Sequence, residues 1–474
     1  MSPDGQGGGP SGATAWRLRA LPQVQKLLET PEVQALLKAH PHAAVVEALR
    51  AALGAARADL RSGAEPPDAQ TLARRAGDAL AEGARPYLGR VINATGVILH
   101  TNLGRAPLPA AALEAMARAG LGYSNLEFDL DAGARGARAA GVEPLLRELT
   151  GAEAALAVNN AAAAVLLALS GLAAGGEVIV SRGEMVEIGG GFRIPEVVAQ
   201  GGARLVEVGT TNKTRLDDYR AAISERTRVL LKVHQSNYRI VGFTAEASLA
   251  ELSSLARERG LLVMHDLGSG ALADLGRLGR TPEPRPQDSL LAGADLVAFS
   301  GDKLMGGPQA GLLVGRAAAL DPLRRHPLMR ALRLDKATLA GLEATFRLYR
   351  DPVRAVAEIP VLRMLAQSAD QVAARAERLG DLLERAAPFE IRSSEAQVGG
   401  GSLPGEALAS WAVALGETDA RAESLGVRFR RGETPVIGRL SGGRLLLDLF
   451  TVADEEVEAL ATAVRAAIHL DSPG

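Results

Sequence analysis

The chain has 474 residues, which is too long for one ordinary domain, so two or three domains are expected. Apolar residues make up 47% of it, enough for a large core, and a net charge of −2 gives no global field that would attract nucleic acid. Because it has no cysteine and no unbroken apolar run of membrane-spanning length, disulfides, thiolate metal sites and a membrane span are excluded, and a cytoplasmic enzyme is expected.

The first part of the chain predicts a small helical domain. Residues 1–13 are rich in glycine and are expected to form a disordered leader. Helical spacing of apolar residues begins at LPQVQKLLE (21–29), with proline near the first turn, and returns over 42–57 and 68–84. We therefore predict a helical domain over residues 14–88.

The next 260 or so residues (89–350) show the alternation of an α/β catalytic core. Short β-branched runs separated by helix-length segments indicate a parallel sheet with helices on both faces, with strands at 155–158, 177–180, 204–208, 228–233, 261–265 and 295–299. A seventh strand at 311–314 follows too closely for a parallel crossover, so it is predicted to be antiparallel. Helical segments and two strands at 436–440 and 444–450 then predict a small α+β domain over 351–474.

Two residues at the ends of predicted strands suggest a cofactor. Lys303 lies in SGDKLMGGPQAG (300–311), where flanking glycines let a backbone approach a ligand, and a lysine of this kind can form an imine. Asp266, in DLGSGAL, also follows an apolar strand, and pyridoxal 5′-phosphate (PLP) needs a carboxylate at its pyridine nitrogen. Alone, Lys303 could be a surface lysine and Asp266 a helix cap. Together they predict a PLP site.

Further cofactor contacts follow from neighbouring strand ends. Asn159, Asn160 and Ala161 open a long apolar helix whose free N–H groups suit a phosphate, and Ser300 could add a hydroxyl. Capping of the helix by Asn159 is the alternative.

Three polar residues near the strand ends are candidates for contacts with the reacting groups. His234 and Asn237, in HQSN, end another strand and could reach the phenolic oxygen of the cofactor, although His234 could equally be a structural histidine. Asp302, next to the lysine, is a candidate for tuning Lys303 or relaying a proton.

From about residue 15 onward the chain resembles the bacterial selenocysteine synthases, the L-seryl-tRNA(Sec) selenium transferases. The resemblance lies in many stretches in the same order: LPQVQKLL (21–28), GRVINATGVILHTNLGRAPL (89–108), YSNLEFDLDAGARGAR (123–138), EMVEIGGGFRIPEV (184–197), GTTNKT (209–214), HQSNYRIVGFT (234–244), DLGSGAL (266–272), SGDKLMGGPQAG (300–311) and VGGGSLP (398–404).

The resemblance implies a PLP-dependent transferase of fold type I in which Lys303 forms the Schiff base. It also implies a ring-shaped homodecamer, a pentamer of dimers. The implied reaction converts L-seryl-tRNA(Sec) to L-selenocysteinyl-tRNA(Sec) through an aminoacrylyl-tRNA, with selenophosphate as the selenium donor.

The donor is a small anion, for which guanidinium groups are the natural clamp. Arg330 and Arg333, in LMRALRLDK, are predicted to share one face of a helix, and Arg105 lies in the turn-rich TNLGRAP. These three arginines are our candidates for the anion site. A solvated basic helix face is the alternative for Arg330 and Arg333.

The helical domain is the expected reader of tRNA, with basic side chains as phosphate candidates: Arg17, Arg19, Lys26, Arg74 and Arg75. The competing hypothesis is a PLP-dependent lyase of the same family that acts on a small amino acid or amino-sugar phosphate without tRNA. Such relatives lack the full N-terminal domain, so residues 15–90 favour the tRNA-dependent enzyme.

Overall fold

The computed structural model describes residues 12–84, 86–383 and 388–469. It divides into two compact units, one ending at Arg90 and the other beginning at Val91. Of the predicted leader, residues 1–11 lie outside the described residues, and the first helix already begins at Gly12.

The first unit is helical, as the apolar periodicity predicts. Leu49, Leu53 and Leu60 lie on one face of its longest helix and are fully buried, because spacings close to one and two helical turns bring them to the same side. Leu27, from a preceding helix, packs into the same core. The helices are Gly12–Ala20, Val24–Leu28, Pro31–Ala39, His42–Arg61 and Ala69–Ala84.

The second unit is built on a seven-stranded sheet. In spatial order its strands are Ala154–Val158, Gly311–Gly315, Leu296–Ser300, Leu262–Gly268, Thr227–Val233, Glu177–Ser181 and Arg204–Val208. The strand Gly311–Gly315 is antiparallel to both its neighbours, and the other neighbouring pairs are parallel. The predicted mixed sheet is confirmed.

Helices cover both faces of this sheet. Alternate residues of one strand enter different cores, since Leu156 and Val158 pack on one face while Ala155 and Ala157 pack on the other. The helices of this region are Ala110–Gly120, Glu143–Thr150, Ala161–Leu172, Ile194–Gln200, Leu216–Ala222, Leu249–Arg259, Pro286–Leu291, Ala317–Arg325, Pro327–Ala331 and Lys336–Leu348. Two short ribbons pair Phe128–Asp129 with Ala134–Arg135 and Glu187–Ile188 with Phe192–Arg193.

The C-terminal region forms a second, antiparallel sheet. Its strands, in spatial order, are Phe389–Gly399, Ser402–Leu415, Arg444–Asp448 and Arg439–Ser441, and its helices are Pro352–Glu358, Pro360–Ala366, Ala369–Leu383, Asp419–Arg431 and Val457–His469.

One segment assigned by sequence to the catalytic core packs with this C-terminal region instead. Ile92–Asn93 pairs in parallel with Val436–Ile437, and Ile98 and Leu99 are buried in the same apolar cluster as the C-terminal elements. The division between 89–350 and 351–474 itself stays a prediction. Across the residues that the structure describes, no helix has the length and apolar character needed to cross a membrane.

Candidate active site

The candidate residues meet at one edge of the seven-stranded sheet. Parallel strands end at the same edge, and here these ends are Val158, Val233, Gly268 and Ser300. The antiparallel strand begins at this edge, with Gly311 paired to both Val158 and Ser300. The segments that follow these ends bring Asn159, His234 and Lys303 to the side of the sheet where Asp266 lies, which is where open α/β sheets bind ligands.

Backbone contacts join the loops that contain the lysine and the aspartate. The amide of Leu304 donates to the Ser269 carbonyl (3.1 Å). Gly270 has φ +72°, and a Cβ there would lie 2.1 Å from the Ser300 carbonyl oxygen, so only glycine permits this approach. The loop after Asp266 is therefore held against the strand that leads to Lys303.

Lys303 and Asp266 are both buried, with 5% and 7% of their surface exposed. Burial lowers the pKa of the Lys303 ammonium, and the positive Arg105 lowers it further, against the opposing effect of Asp266. Burial raises the pKa of Asp266 to about 6, although the positive charge of Lys303 opposes that rise. The lysine is thus pushed toward its nucleophilic neutral form, and the carboxylate lacks a full counter-charge.

Asp302 is fixed between two side chains. The Ser300 hydroxyl donates to its Oδ1 (2.6 Å), and Nη1 of Arg105 donates to its Oδ2 (2.9 Å). Arg105 adopts a left-handed backbone conformation (φ +63°) that side chains rarely adopt. The ion pair therefore holds Arg105 beside the lysine in a strained backbone conformation. The Ser300 hydroxyl, which was predicted to bind a phosphate, donates its hydrogen bond to Asp302 instead.

The residues predicted for the phosphate end are divided in their roles. Asn160 caps the helix Ala161–Leu172, because its side chain accepts the Ala163 amide (2.8 Å). Capping was foreseen as the alternative for Asn159, whose own Oδ1 is buried without a hydrogen-bond partner. Asn237 donates its Nδ2 to the Glu187 carbonyl (2.9 Å).

Sequence reasoning did not identify Glu283. Its buried carboxylate oxygen Oε1 lies 3.1 Å from Nε2 of His234, across 49 residues of sequence. The alternating prolines of TPEPRP (281–286) were the available signal, since they mark a stiff loop that can present one side chain.

A cavity of about 500 Å³ opens beside Asn159 and Asp302, and its lining also includes Gly104, Gln309 and Arg333. The three candidate arginines are only partly brought together. Arg105 contacts Asp302 and Arg333 lines the cavity, whereas Arg330 is not among the lining residues.

The prediction that Arg330 and Arg333 share one face of a helix is wrong. The helix Pro327–Ala331 ends before Arg333, and the carbonyl of Leu332 accepts the amide of Asn159. Asp335 then caps the next helix, Lys336–Leu348. Arg330 and Arg333 therefore do not lie on one continuous helix, because Leu332 bonds to a distant segment and Asp335 starts a new helix.

The buried polar groups of this site fit PLP. At these strand ends three side-chain oxygens, on Asn159, Ser236 and Ser269, are buried without a hydrogen-bond partner among the described residues. Such groups cost free energy unless a ligand or water satisfies them. Asp266 could pair with a protonated pyridine nitrogen, and Lys303 could bind the aldehyde carbon.

The sheet order and the paired lysine and aspartate define the class, a fold-type-I transferase fold of the kind used by PLP-dependent enzymes. The solved structure of a D-glucosaminate-6-phosphate ammonia-lyase shares this fold, with a TM-score of 0.56 at 23% identity, over 81% of this chain and 96% of that one.

Sequence comparisons narrow the class to one family. Residues 91–453 match the family model of the L-seryl-tRNA selenium transferases, and residues 18–57 match the selenocysteine synthase N-terminal family model. The L-seryl-tRNA(Sec) selenium transferase of Geobacter sulfurreducens is 51% identical over 94% of this chain and 98% of its own. That of Moorella thermoacetica is 50% identical over 95% and 97%. The chain belongs to the L-seryl-tRNA(Sec) selenium transferase family.

Proposed function

We propose that this protein is a PLP-dependent enzyme that converts L-seryl-tRNA(Sec) to L-selenocysteinyl-tRNA(Sec) with selenophosphate as the selenium donor. The observation that supports this most is the buried pair of Lys303 and Asp266 at neighbouring strand ends, in a chain about half identical to named selenium transferases over nearly its whole length.

In this proposal Lys303 and Asp266 hold opposite ends of the cofactor. PLP, when bound, supplies an electron sink that weakens the bonds at the α-carbon of an amino acid. Lys303, whose pKa is lowered by burial and by Arg105, provides a neutral amine for bonding and for proton transfer. Asp266 would keep the pyridine nitrogen protonated, and the backbone N–H of Ala161, at the start of its helix, would receive the phosphate.

Asp302 and His234 have supporting roles in the proposal. Asp302 holds Arg105 beside Lys303 through the 2.9 Å ion pair, so it controls a positive charge that acts on the lysine. His234 directly follows the strand Thr227–Val233, and its backbone amide donates to the Asp266 carbonyl (2.9 Å). It is our candidate for contact with the phenolic oxygen, with Asn237 close by in sequence.

The N-terminal unit is the part we assign to tRNA. Arg19, Lys26 and Arg74 are exposed on it, whereas Arg17 and Arg75 form ion pairs with Glu65 and Asp59 at 3.0 and 3.2 Å. The match of residues 18–57 to a selenocysteine synthase N-terminal family model supports this assignment over the alternative of a tRNA-independent lyase.

The test is conversion of seryl-tRNA(Sec) by the purified protein supplied with PLP and selenophosphate. We expect selenocysteinyl-tRNA(Sec) to form, and the visible absorbance of lysine-bound PLP to disappear in Lys303→Ala together with activity. Lys213→Ala is the matched control for the absorbance, because this lysine packs against the ring of Phe243 and is not among the residues assigned to the site. Failure to bind the charged tRNA, combined with turnover of a free amino acid or amino-sugar phosphate, would establish the lyase instead.

We further propose that the arginines beside the cavity bind the selenium donor. Arg333 lines the cavity together with Asp302, and the Arg105 guanidinium forms an ion pair with the same Asp302 (2.9 Å), so it lies next to a residue that borders this space. Arg330 stays a candidate on sequence grounds only.

Alanine substitution tests this anion site. We expect Arg105→Ala and Arg333→Ala to raise the KM for selenophosphate by roughly tenfold to a hundredfold, because each removes a charge-assisted hydrogen bond. Arg347→Ala, which breaks an exposed ion pair with Glu343, is the control and should leave this KM unchanged. Unaltered selenium transfer in all three single variants, Arg330→Ala included, would contradict the proposal.

We also propose the homodecamer implied by the resemblance. Large apolar side chains stand exposed in two stretches of the second unit, including Tyr123, Leu130, Val241 and Phe243. Exposed apolar groups of this size are typical of surfaces that become covered on association.

A further inference from the structure

The loop 280–286 is unusually stiff. Proline at positions 282, 284 and 286 fixes its own φ, and each proline restricts the residue before it to an extended conformation. Thr281, Glu283 and Arg285 therefore have little backbone freedom, and Glu283 stands between two prolines.

Contacts at both ends hold this loop in place. Before the prolines, Arg280 donates from Nε to the Leu365 carbonyl (2.7 Å) and Thr281 donates its amide to the Glu406 carboxylate (3.2 Å). After them, Arg285 forms two hydrogen bonds to Asp288 (2.8 and 2.9 Å). The carboxylate of Glu283 is thus preorganised, so little conformational entropy is lost when it binds a partner.

That partner is His234. Oε1 of Glu283 lies 3.1 Å from Nε2 of the ring, and the Glu283 side chain is only 4% exposed. A carboxylate can only accept hydrogen bonds, so Nε2 must carry the proton. Within the described residues Nδ1 of His234 makes no hydrogen bond, and the ring is 23% exposed.

The pair belongs to the charged surroundings of Lys303. The negative charge of Glu283 raises the Lys303 pKa, and the charge of His234 lowers that of Asp266. Another imidazole nearby is that of His265, whose pKa is lowered to about 3 by burial and further by the charges of His234 and Lys232. His265 therefore stays neutral, bonded to Ser289, and does not compete for the proton.

We propose that Glu283 is a positioning residue that holds His234 as the Nε2–H tautomer and leaves Nδ1 as the nitrogen that exchanges a proton with the bound cofactor or substrate. The inference rests on the proposed function, because it requires PLP at this site. The arrangement is the general one in which a carboxylate orients a histidine and stabilises its protonated form. Glu283 itself contacts neither cofactor nor substrate.

The test uses the full-length protein loaded with PLP. In Glu283→Gln we expect the pH midpoint of the visible PLP absorbance to shift and kcat to fall about tenfold to a hundredfold, with KM for seryl-tRNA(Sec) near that of the wild type. Glu283→Asp, which keeps the charge, should recover part of both. Glu406→Gln is the matched control, because it alters a different carboxylate contact of the loop, the one with Thr281, without touching His234, and it should leave the midpoint unchanged.

A double-mutant cycle separates action through His234 from a general structural effect. In a His234→Asn background, Glu283→Gln should cause no further loss of kcat. Additive losses, or an unshifted midpoint in Glu283→Gln, would overturn the inference. Thermal unfolding checks that each variant is folded. If Glu283→Gln does not fold, the pH midpoint of the PLP absorbance in Glu283→Asp decides, and an unshifted midpoint there would count against the inference. Absence of any lysine-bound PLP absorbance in the wild type would refute the proposed function instead.

Discussion

At the scale of single residues, burial acts in opposite directions on the two central groups. Removing charge from water favours the neutral form of each, so the Lys303 pKa falls while the Asp266 pKa rises to about 6. Keeping either group charged in the buried site therefore costs free energy when no ligand is bound. The pair suits a ligand that forms a bond with the amine and places a positively charged nitrogen beside the carboxylate. Perturbed pKa values of this kind are typical of functional sites.

Replacing Asp266 should reveal this conflict between stability and binding. The folded pKa of Asp266 lies above its usual 3.8, so ionisation costs folding free energy as pH rises through about 6. In Asp266→Asn we expect the cofactor-free protein to gain roughly 1–3 kcal/mol at pH 7, while its affinity for PLP falls. Thermal unfolding without cofactor and PLP titration measure the two effects. Asp321→Asn, at an exposed ion pair, is the control, and a cofactor-free Asp266→Asn less stable than the wild type would contradict the explanation.

At the scale of secondary structure, the antiparallel strand Gly311–Gly315 brings the phosphate end and the lysine end of the site together. It lies between the strand that leads to Asn159 and the strand that leads to Lys303. Gly311 makes this possible, because a Cβ there would lie 1.9 Å from the Asn160 carbonyl oxygen, at the start of the helix Ala161–Leu172. The sequence pattern predicted the strand but not this approach.

Gly311→Ala should therefore damage both structure and site. The added methyl group must displace backbone rather than a flexible side chain, so we expect a loss of about 2 kcal/mol or more in unfolding free energy and weaker PLP binding. Gly122→Ala is the matched control, since no atom lies within 4 Å of the position that its methyl group would take and its backbone is not left-handed. Equal melting temperatures for the two variants would show that the backbone at Gly311 adapts without cost.

At the scale of the whole molecule, the two sides of the large sheet at which its strands begin and end differ in function. The edge where parallel strands end holds the unpaired and perturbed groups of the site. At the opposite edge Glu177 begins its strand, is 1% exposed, and accepts hydrogen bonds from Ser224 and Arg204 beside a third partner, Arg226. Because the buried carboxylate of Glu177 is fully hydrogen-bonded and paired with arginines, we expect it to contribute to stability rather than to catalysis.

We expect Glu177 to make the free energy of unfolding decrease at acidic pH. The Ser224 and Arg204 hydrogen bonds lower its pKa from 4.5 to about 2, so its contribution is present above pH 4.5 and is lost as pH falls toward 2. We expect Glu177→Gln to melt several degrees below the wild type at pH 7, with a gap that narrows through this acid range. Glu153→Gln, at an exposed carboxylate that accepts the Ala317 amide, serves as control. A gap that stays constant from pH 7 into the acid range would contradict the assignment.

The sequence by itself determined the parts of this protein that depend on local pattern. Apolar runs and their spacing gave the order of strands and helices, and the short connection after Phe299 gave the antiparallel strand. Lys303 and Asp266 were found because each directly follows such a run, and strands of one sheet bring their ends to a common edge. Even the family resemblance rests on contiguous stretches of this kind.

Only the tertiary structure decided which distant groups became partners. His234 and Glu283 are 49 residues apart and Arg105 and Asp302 are 197 apart, so no local pattern joins them. The helical face expected for Arg330 and Arg333 is absent, because the helix ends at Ala331 and the Leu332 carbonyl accepts the distant Asn159 amide. Ile92 likewise pairs with a distant residue, Val436, and no local pattern shows that contact. Such pairings depend on how packed elements present their unsatisfied backbone and side-chain groups, and that geometry exists only once the chain is folded.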